Sequence, residues 1–260
     1  MASVSQLVRH IGNRVRRFRT AGSNLLFPPR CAACGADLPQ CVDDLHLCPD
    51  CQLTLGPPLW PCCPRCGAAV TAAAETSPGC DLCRRPPLKV DTVVVLGGYR
   101  AELRDVVLRM KRPSQETLSA AMGRLLATRR GEQLSALKPD LVVPIPMFWA
   151  RRLNRATNSP EIVAAVLGRS LWLPVHRRVL SRRRNTPPQA GLSPRERFRN
   201  VRGAFRVRKG SSLQGARVLL VDDILTTGAT CSEAAGMLKR AGAALVAAAV
   251  IARAQGPNST

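Results

Sequence analysis

Residues 222–230 bring together groups that could hold a phosphorylated ligand. Asp222 and Asp223 are adjacent carboxylates, and Thr226, Thr227, Gly228, Ala229 and Thr230 follow after two apolar residues. Backbone N–H groups at the start of a helix, with Thr hydroxyls beside them, make a phosphate cradle. The two acids repel phosphate and need a different partner, such as vicinal hydroxyls or a divalent cation carried by the ligand. A phosphorylated sugar satisfies both halves. The plainer alternative is a strand and turn in which the acids cap a helix. A P-loop is excluded, because no Gly-Lys-Ser/Thr follows the strand.

Cysteine offers a second chemistry. Ten of the eleven cysteines lie between residues 31 and 83. Eight form Cys-x-x-Cys pairs: Cys31 with Cys34, Cys48 with Cys51, Cys63 with Cys66, and Cys80 with Cys83, at intervals of 13, 11 and 13 residues. Each pair aims two thiolates at one tetrahedral centre, and two pairs complete a structural zinc site, so eight ligands suffice for two ions. Sequential and interleaved pairings both fit the intervals. A disulfide framework competes with zinc, but the N-terminus lacks the apolar core and cleavage site of an export signal, which favours a reducing compartment. Cys41 and Cys62 fall outside the pairs and read as spare thiols.

Elements must position these groups. Val218, Leu219, Leu220 and Val221 run into the acids without alternation, as in a parallel strand covered on both faces. Residues 229–240 have helical composition, with Lys239 and Arg240 in the last turn and Gly242 as a C-terminal cap. Residues 243–252 return as a second buried strand, completing a right-handed βαβ unit. Its first loop lies at the carboxyl edge of the sheet, where α/β proteins bind ligands.

Upstream, the spacing predicts a strand over 92–96 ended by Gly97 and Gly98, then a helix over 101–110 ahead of Lys111. A longer helix is expected over 114–137 with Ser114 as N-cap, followed by a strand over 141–145. The loop 144–152 then opens at the same edge as the acids and carries Arg151 and Arg152 towards the ligand. A helix over 159–171 and a strand near 175–180 follow. Residues 181–201 read as a long polar connection containing Arg182, Arg183, Arg184, Thr186, Gln189, Arg195, Arg197, Arg199 and Asn200. Dense arginine beside a phosphate site suits a lid over pyrophosphate, with a solvated basic loop as the plainer reading.

The 260 residues are 45% hydrophobic, enough for a proper core. A net charge of +22 attracts polyanions, unless the arginine excess only mirrors genome composition. Residues 151–210 hold sixteen basic and two acidic groups, against ten and six in residues 1–90. The Cys-rich region is therefore no obvious nucleic-acid binder, and with aromatics at 3% it has few stacking platforms. No span approaches the roughly 20 apolar residues that cross a bilayer, so a cytoplasmic protein is expected. Residues 4–18 set Leu7, Val8, Ile11, Val15 and Phe18 at helical spacing against Arg9, Arg14, Arg16, Arg17 and the following Arg19, as in a surface-binding helix or one docked on its own protein. Three regions are expected: a basic amphipathic segment at 1–27, a zinc module at 28–88 and an α/β domain at 89–260. The Pro-rich stretch 84–88 forms the expected boundary.

The 221–228 stretch resembles the signature of type I phosphoribosyltransferases. The order of parts, from four Cys pairs through Tyr99, Lys111, Val143-Pro144-Ile145-Pro146 and Gly203-Ala204-Phe205 to that stretch, resembles the ComF family. The resemblance implies a type I phosphoribosyltransferase fold, a mostly parallel sheet flanked by helices, preceded by a double zinc ribbon. It implies that Asp222 and Asp223 hold the ribose of phosphoribosyl pyrophosphate and that Thr226, Thr227, Gly228, Ala229 and Thr230 hold its 5-phosphate. Lys111, Arg151, Arg152, Arg184, Arg195 and Arg199 are expected around the pyrophosphate, with Asp222, Asp223, Arg151 and Arg152 catalytic if the protein turns over. Mg²⁺ would accompany the ligand and zinc would be structural. Single-stranded DNA and competence or helicase proteins are the partners implied. Three functions fit: transfer of phosphoribose to a base or amine, ligand sensing without turnover, and handling of single-stranded DNA. Family members carry Arg-Gly-Phe-Asn-Gln where this chain reads Arg155-Ala156-Thr157-Asn158-Ser159, a departure that bears on the acceptor side.

Overall fold

Unbroken apolar runs need cover on both faces, and one parallel sheet provides the setting for all of them. The computed structural model describes residues 28–38, 45–58, 60–70, 79–84, 87–148, 158–189 and 191–254. The expected segment at 4–18, Cys41, Arg151, Arg152 and Arg155 lie outside these residues. Strands β1 (Thr92–Gly98), β2 (Leu141–Pro144), β5 (Arg217–Leu225) and β6 (Leu245–Arg253) pair in parallel in the order β1-β6-β5-β2. Strands β3 (Leu180–Arg182) and β4 (Phe205–Val207) form a separate antiparallel ribbon.

Alternate residues of the central strands divide between two cores. Leu219, Val221, Ala247, Ala249 and Ile251 face one, and Val218, Leu220, Val246, Ala248 and Val250 the other. The first is closed by α3 (Ala101–Met110), α4 (Glu116–Ala136) and α5 (Ser159–Ser170), and the second by α7 (Ala229–Arg240) and the β3–β4 ribbon. Leu103, Val106, Val107 and Met110 are all buried, as the helical spacing of α3 requires. Short helices α1 (Pro49–Leu55) and α2 (Asp81–Arg84) belong to the Cys-rich region, and α6 (Pro194–Val201) precedes β4. Among the described residues no helix is long and apolar enough to cross a membrane.

Several expected boundaries move, each for a physical reason. β5 continues through both acids to Leu225, because Asp222, Ile224 and Leu225 still pair with Val250, Ala252 and Arg253. Gly97 and Gly98 stay inside β1, and Gly97 is needed there because a Cβ would lie 2.5 Å from Leu103 Cδ2. Ser114 is not the cap of α4: it takes a φ of 58° and Gln115 occupies the N-cap position. Val175 makes only an isolated bridge to Val142, and the strand begins at Leu180, where β4 supplies a partner. Residues 181–201 are not an open loop, since β3 and α6 occupy much of the stretch, and Ser193 and Glu196 form a reciprocal capping box at the start of α6.

The Cys-rich region packs into both cores. Cys31, Ala33, Leu38, Leu47 and Leu55 join the first, and Cys63, Cys66, Ala68, Cys83 and Leu88 the second. It also lies against β1, where the Thr92 hydroxyl donates to Pro64 O at 2.7 Å. Buried Arg130 of α4 donates from Nε to Val95 O at 3.0 Å and from Nη2 to Leu96 O at 2.8 Å and Pro57 O at 2.9 Å.

The eight paired thiols form two groups in sequential order: Cys31, Cys34, Cys48 and Cys51, then Cys63, Cys66, Cys80 and Cys83, each with its sulfurs within 4.8 Å of one another. Tetrahedral zinc with Zn–S of about 2.3 Å sets sulfurs roughly 3.8 Å apart. Cys34 to Cys48 is 3.7 Å, Cys63 to Cys83 is 3.9 Å and Cys66 to Cys80 is 3.5 Å, so both donor sets fit the ion. The groups repeat in detail, because the Cys48 N–H donates to Cys31 Sγ at 3.3 Å and the Cys80 N–H to Cys63 Sγ at 3.4 Å. Burial pushes the Cys31 thiol up, but N–H donors of Cys34, Cys48 and Ala33 outweigh it and hold the thiol at about 6. The same balance holds Cys63 at about 7.

Because each thiol group shares a core with the sheet, metal loss should destabilise the whole body. Elemental analysis should find two zinc ions per chain, and one in Cys66→Ser. Calorimetry of that variant should show one transition lowered by on the order of 10 °C, without a separate low-temperature melt of the Cys-rich region.

Candidate functional site

Parallel strands end at a common edge, and here the ends of β1, β2 and β5 open into a cleft of about 610 Å³. Asp222 and Asp223 line it from the last turn of pleat in β5, each only 8% exposed. The Asp223 N–H donates to Asp222 Oδ1 at 2.9 Å, and Lys111, just past α3, places Nζ 3.3 Å from Asp223 Oδ2. The Cys231 thiol donates to Asp222 Oδ2 at 3.8 Å from inside α7. Burial pushes the Asp222 carboxyl up to about 8, and the charge of Asp223 adds to the rise; the Asp223 N–H and Lys111 pull the other way. Burial and the neighbouring Asp222 also push the Cys231 thiol up.

Backbone geometry fixes the loop into α7. Gly228 takes the N-cap position with φ 78°, and a Cβ there would lie 2.6 Å from Leu88 Cδ2. The Thr227 hydroxyl accepts the Ala229 N–H at 3.4 Å, and Gln189 Nε2 donates to Thr230 Oγ1 at 2.9 Å. Thr226 and Thr230 line the same cleft as the two acids.

Of the residues singled out in the sequence, Lys111, Asp222, Asp223, Thr226 and Thr230 meet in the cleft, with Thr227, Gly228 and Ala229 in the loop behind. Arg184, Arg195 and Arg199 do not line it. Arg184 Nη2 instead donates to Asn200 O at 2.9 Å and Arg202 O at 2.7 Å, closing the segment on itself. Arg195 and Arg199 share the exposed face of α6, whereas Arg197, half a turn away, faces the cleft. The Ser193-Pro194-Arg195-Glu196 capping box carried that information, because a helix starting at 194 separates 197 from 195 and 199.

Arg182 and Gln189, from the stretch read as a lid, also line the cleft, as do Tyr99 and Asn158. The Arg182 guanidinium stacks 5.4 Å from the Phe205 ring centroid. Buried Asn158 spans the cleft wall, donating from Nδ2 to Ile145 O at 3.3 Å and Glu161 Oε1 at 3.1 Å. The sequence marks Tyr99 and Asn158 only through the family resemblance, since their place in the cleft depends on which strand ends converge.

The acids carry a stability cost with a definite sign. Asp222 is raised to about 8 in the folded protein, against about 3.9 for an ordinary Asp. The folded state therefore binds this proton more tightly than the unfolded chain, and stability from this group is lost as pH rises from about 4 through about 8. Asp222→Asn does not titrate. Its melting temperature should exceed that of the parent by a margin that grows over this window and then levels, as calorimetry across pH will register.

The phosphoribosyl transferase domain model matches residues 114–258 and the double zinc ribbon domain model residues 22–86. Competence protein F of Haemophilus influenzae is 29% identical over 212 residues, covering 78% of this chain and 90% of that protein. DNA utilization protein YhgH of Salmonella typhimurium is 33% identical over 189 residues, covering 71% and 80%. Competence protein ComFC of Bacillus subtilis is 27% identical over 183 residues, covering 64% and 73%. With a parallel sheet flanked by helices, two four-cysteine groups and these matches along its length, the chain belongs to the competence protein F family, which joins a double zinc ribbon to a type I phosphoribosyltransferase domain.

Proposed function

We propose that the cleft binds phosphoribosyl pyrophosphate together with Mg²⁺. The observation that carries this reading is two buried carboxylates sharing one cleft with the Thr226–Thr230 turn and with the cations Lys111, Arg182 and Arg197. A simple anion site would not place two acids beside its phosphate cradle. Ribose hydroxyls donate to Asp222 and Asp223, and the amides and hydroxyls of residues 226–230 take the 5-phosphate. Lys111, Arg182 and Arg197 face the pyrophosphate, with Arg151 and Arg152 assigned there from the sequence. Mg²⁺ supplies charge neutralisation on the pyrophosphate, which lowers its repulsion from the acids. In the transferase form of this reading, the bond from ribose C1 to pyrophosphate breaks as the acceptor bonds to C1, and the cations stabilise the departing charge.

Calorimetry tests the reading directly. A charged hydrogen bond lost in a desolvated site costs about 1.5–3 kcal/mol, so Asp222→Asn and Asp223→Asn should each bind phosphoribosyl pyrophosphate roughly ten- to a hundredfold more weakly. Ribose hydroxyls need the ionised Asp222, so affinity of the parent should rise with pH towards about 8 and level there, while Asp222→Asn stays flat. Equal affinity in the parent and the double variant removes the proposal. Pyrophosphate release across nucleobases and amine donors separates a transferase from a sensor.

A second reading, contact with single-stranded DNA, has its own observation. Trp172 is 93% exposed on the turn after α5, and Arg169, Arg177 and Arg178 around it in sequence are exposed too. Stacked bases and phosphates are the chemistry such a surface recognises, and the Salmonella relative is called a DNA utilization protein. Affinity for an oligonucleotide should fall with a log–log salt slope of about −0.7 per neutralised phosphate. Trp172→Ala should lower it roughly tenfold. Salt-insensitive binding, or binding unmoved by Trp172→Ala, rejects this reading.

A further inference from the structure

The guanidinium of Arg253 lies beneath the Thr226 loop and is 3% exposed. It ends β6 between the last residues of two neighbours, paired with Gly98 of β1 and Leu225 of β5. Its Nε donates to Cys66 O at 3.0 Å and its Nη1 to Leu225 O at 3.0 Å, with further Nη1 bonds to the Thr226 and Ala254 carbonyls. Every hydrogen bond it is seen to make goes to a carbonyl, and those carbonyls come from separate segments of the chain. One is a thiol-group residue and another opens the cleft-lining loop.

A second route joins the same two places. Leu88 donates its N–H to Cys83 O at 3.3 Å, and its side chain sits where a Cβ on Gly228 would fall, 2.6 Å from Cδ2. Leu88 O in turn accepts from Arg65 Nη2 at 2.8 Å, inside the Cys63–Cys66 knuckle. Thus the loop at 226–228 rests on the second thiol group at both ends, through Arg253 and through Leu88. A planar fork with five donors can bind several carbonyls in fixed directions, which an ammonium cannot reproduce.

We propose that Arg253 is a positioning residue that ties the Thr226 carbonyl to the second thiol group, so that the second zinc ribbon sets the geometry of the ligand-binding loop. The inference rests on the phosphoribosyl pyrophosphate reading of the cleft. Coupling of this kind is reciprocal: a ligand that fixes the loop also alters the surroundings of the thiolates. Zinc has no visible spectrum, but cobalt in the same thiolate set reports that change through its sulfur-to-metal absorption.

The test compares parent, Arg253→Gln and Arg253→Lys for zinc content, phosphoribosyl pyrophosphate affinity and, after cobalt loading, the response of the thiolate band to the ligand. With two zinc ions retained, Arg253→Gln should bind roughly tenfold more weakly, and Arg253→Lys, which keeps the charge but not the fork, should fall between. The ligand should perturb the cobalt band in the parent and leave it unmoved in Arg253→Gln. If Arg253→Gln does not fold, Arg253→Lys and the cobalt response of the parent decide. Unchanged affinity in a folded variant, or a parent that binds the ligand with a silent cobalt band, overturns the coupling. A parent that binds no phosphoribosyl pyrophosphate overturns the reading of the cleft instead.

Discussion

Two carboxylates held side by side at the end of a buried strand oppose folding twice, by losing water and by repelling each other. Asp222 and Asp223 endure both, and their neighbours answer to that constraint. β5 continues through them, so the backbone cannot turn away. Lys111 closes on Asp223 from the end of α3, while the Asp223 amide and the Cys231 thiol meet Asp222. The amino end of α7, electropositive by its dipole, opens beside the same cleft at Gly228. Such an arrangement is stable only where the rest of the fold over-determines it.

That over-determination comes largely from the Cys-rich region. Among the described residues the largest fully buried side chain is Phe205, and most of both cores is Leu, Val and Ala. A four-stranded sheet built from such residues leaves β1 as an edge and needs cover on each face. The two thiol groups supply it symmetrically, one to each core, and the Arg130 fork binds the edge carbonyls of Val95 and Leu96. The zinc ribbons are therefore walls of the α/β body. This also explains Gly67, whose Cβ would fall 2.2 Å from Val95 Cγ2: backbone packs directly on strand there.

Much of this was legible in the sequence because it depends on local pattern. The run of apolar residues into Asp222 and the face of α3 each point to one geometry, and the Cys-x-x-Cys spacing points to tetrahedral thiolate sites. What escaped depends on partners distant in sequence. The extent of β5 is decided by β6, and the strand near residue 180 by β4, twenty-five residues away. Pairing of the thiols needed the fold of both ribbons. The choice of Arg197 over Arg195 and Arg199 is a different lesson: the capping box was present, but density of arginine drew attention from periodicity. Tyr99 and Asn158 are marked only by the family resemblance, and nothing local shows that they share a cleft.

Arginine count also overstates the charge available to a ligand. Arg109 Nη2 donates to Ala32 O at 3.2 Å, and Arg217 Nε to Leu137 O and Lys138 O, both at 3.0 Å. Arg130, Arg184 and Arg253 are likewise bound to main-chain carbonyls that close loops and helix ends. A guanidinium suits this use because it is weakly hydrated and forked. Its charge still adds to the field of the molecule, but each N–H committed to a carbonyl is one fewer for a polyanion. The net charge of +22 is therefore partly a feature of how this chain terminates its elements. Charge that faces the cleft is a small set, Lys111, Arg182 and Arg197 among the described residues, and it stands opposite two carboxylates.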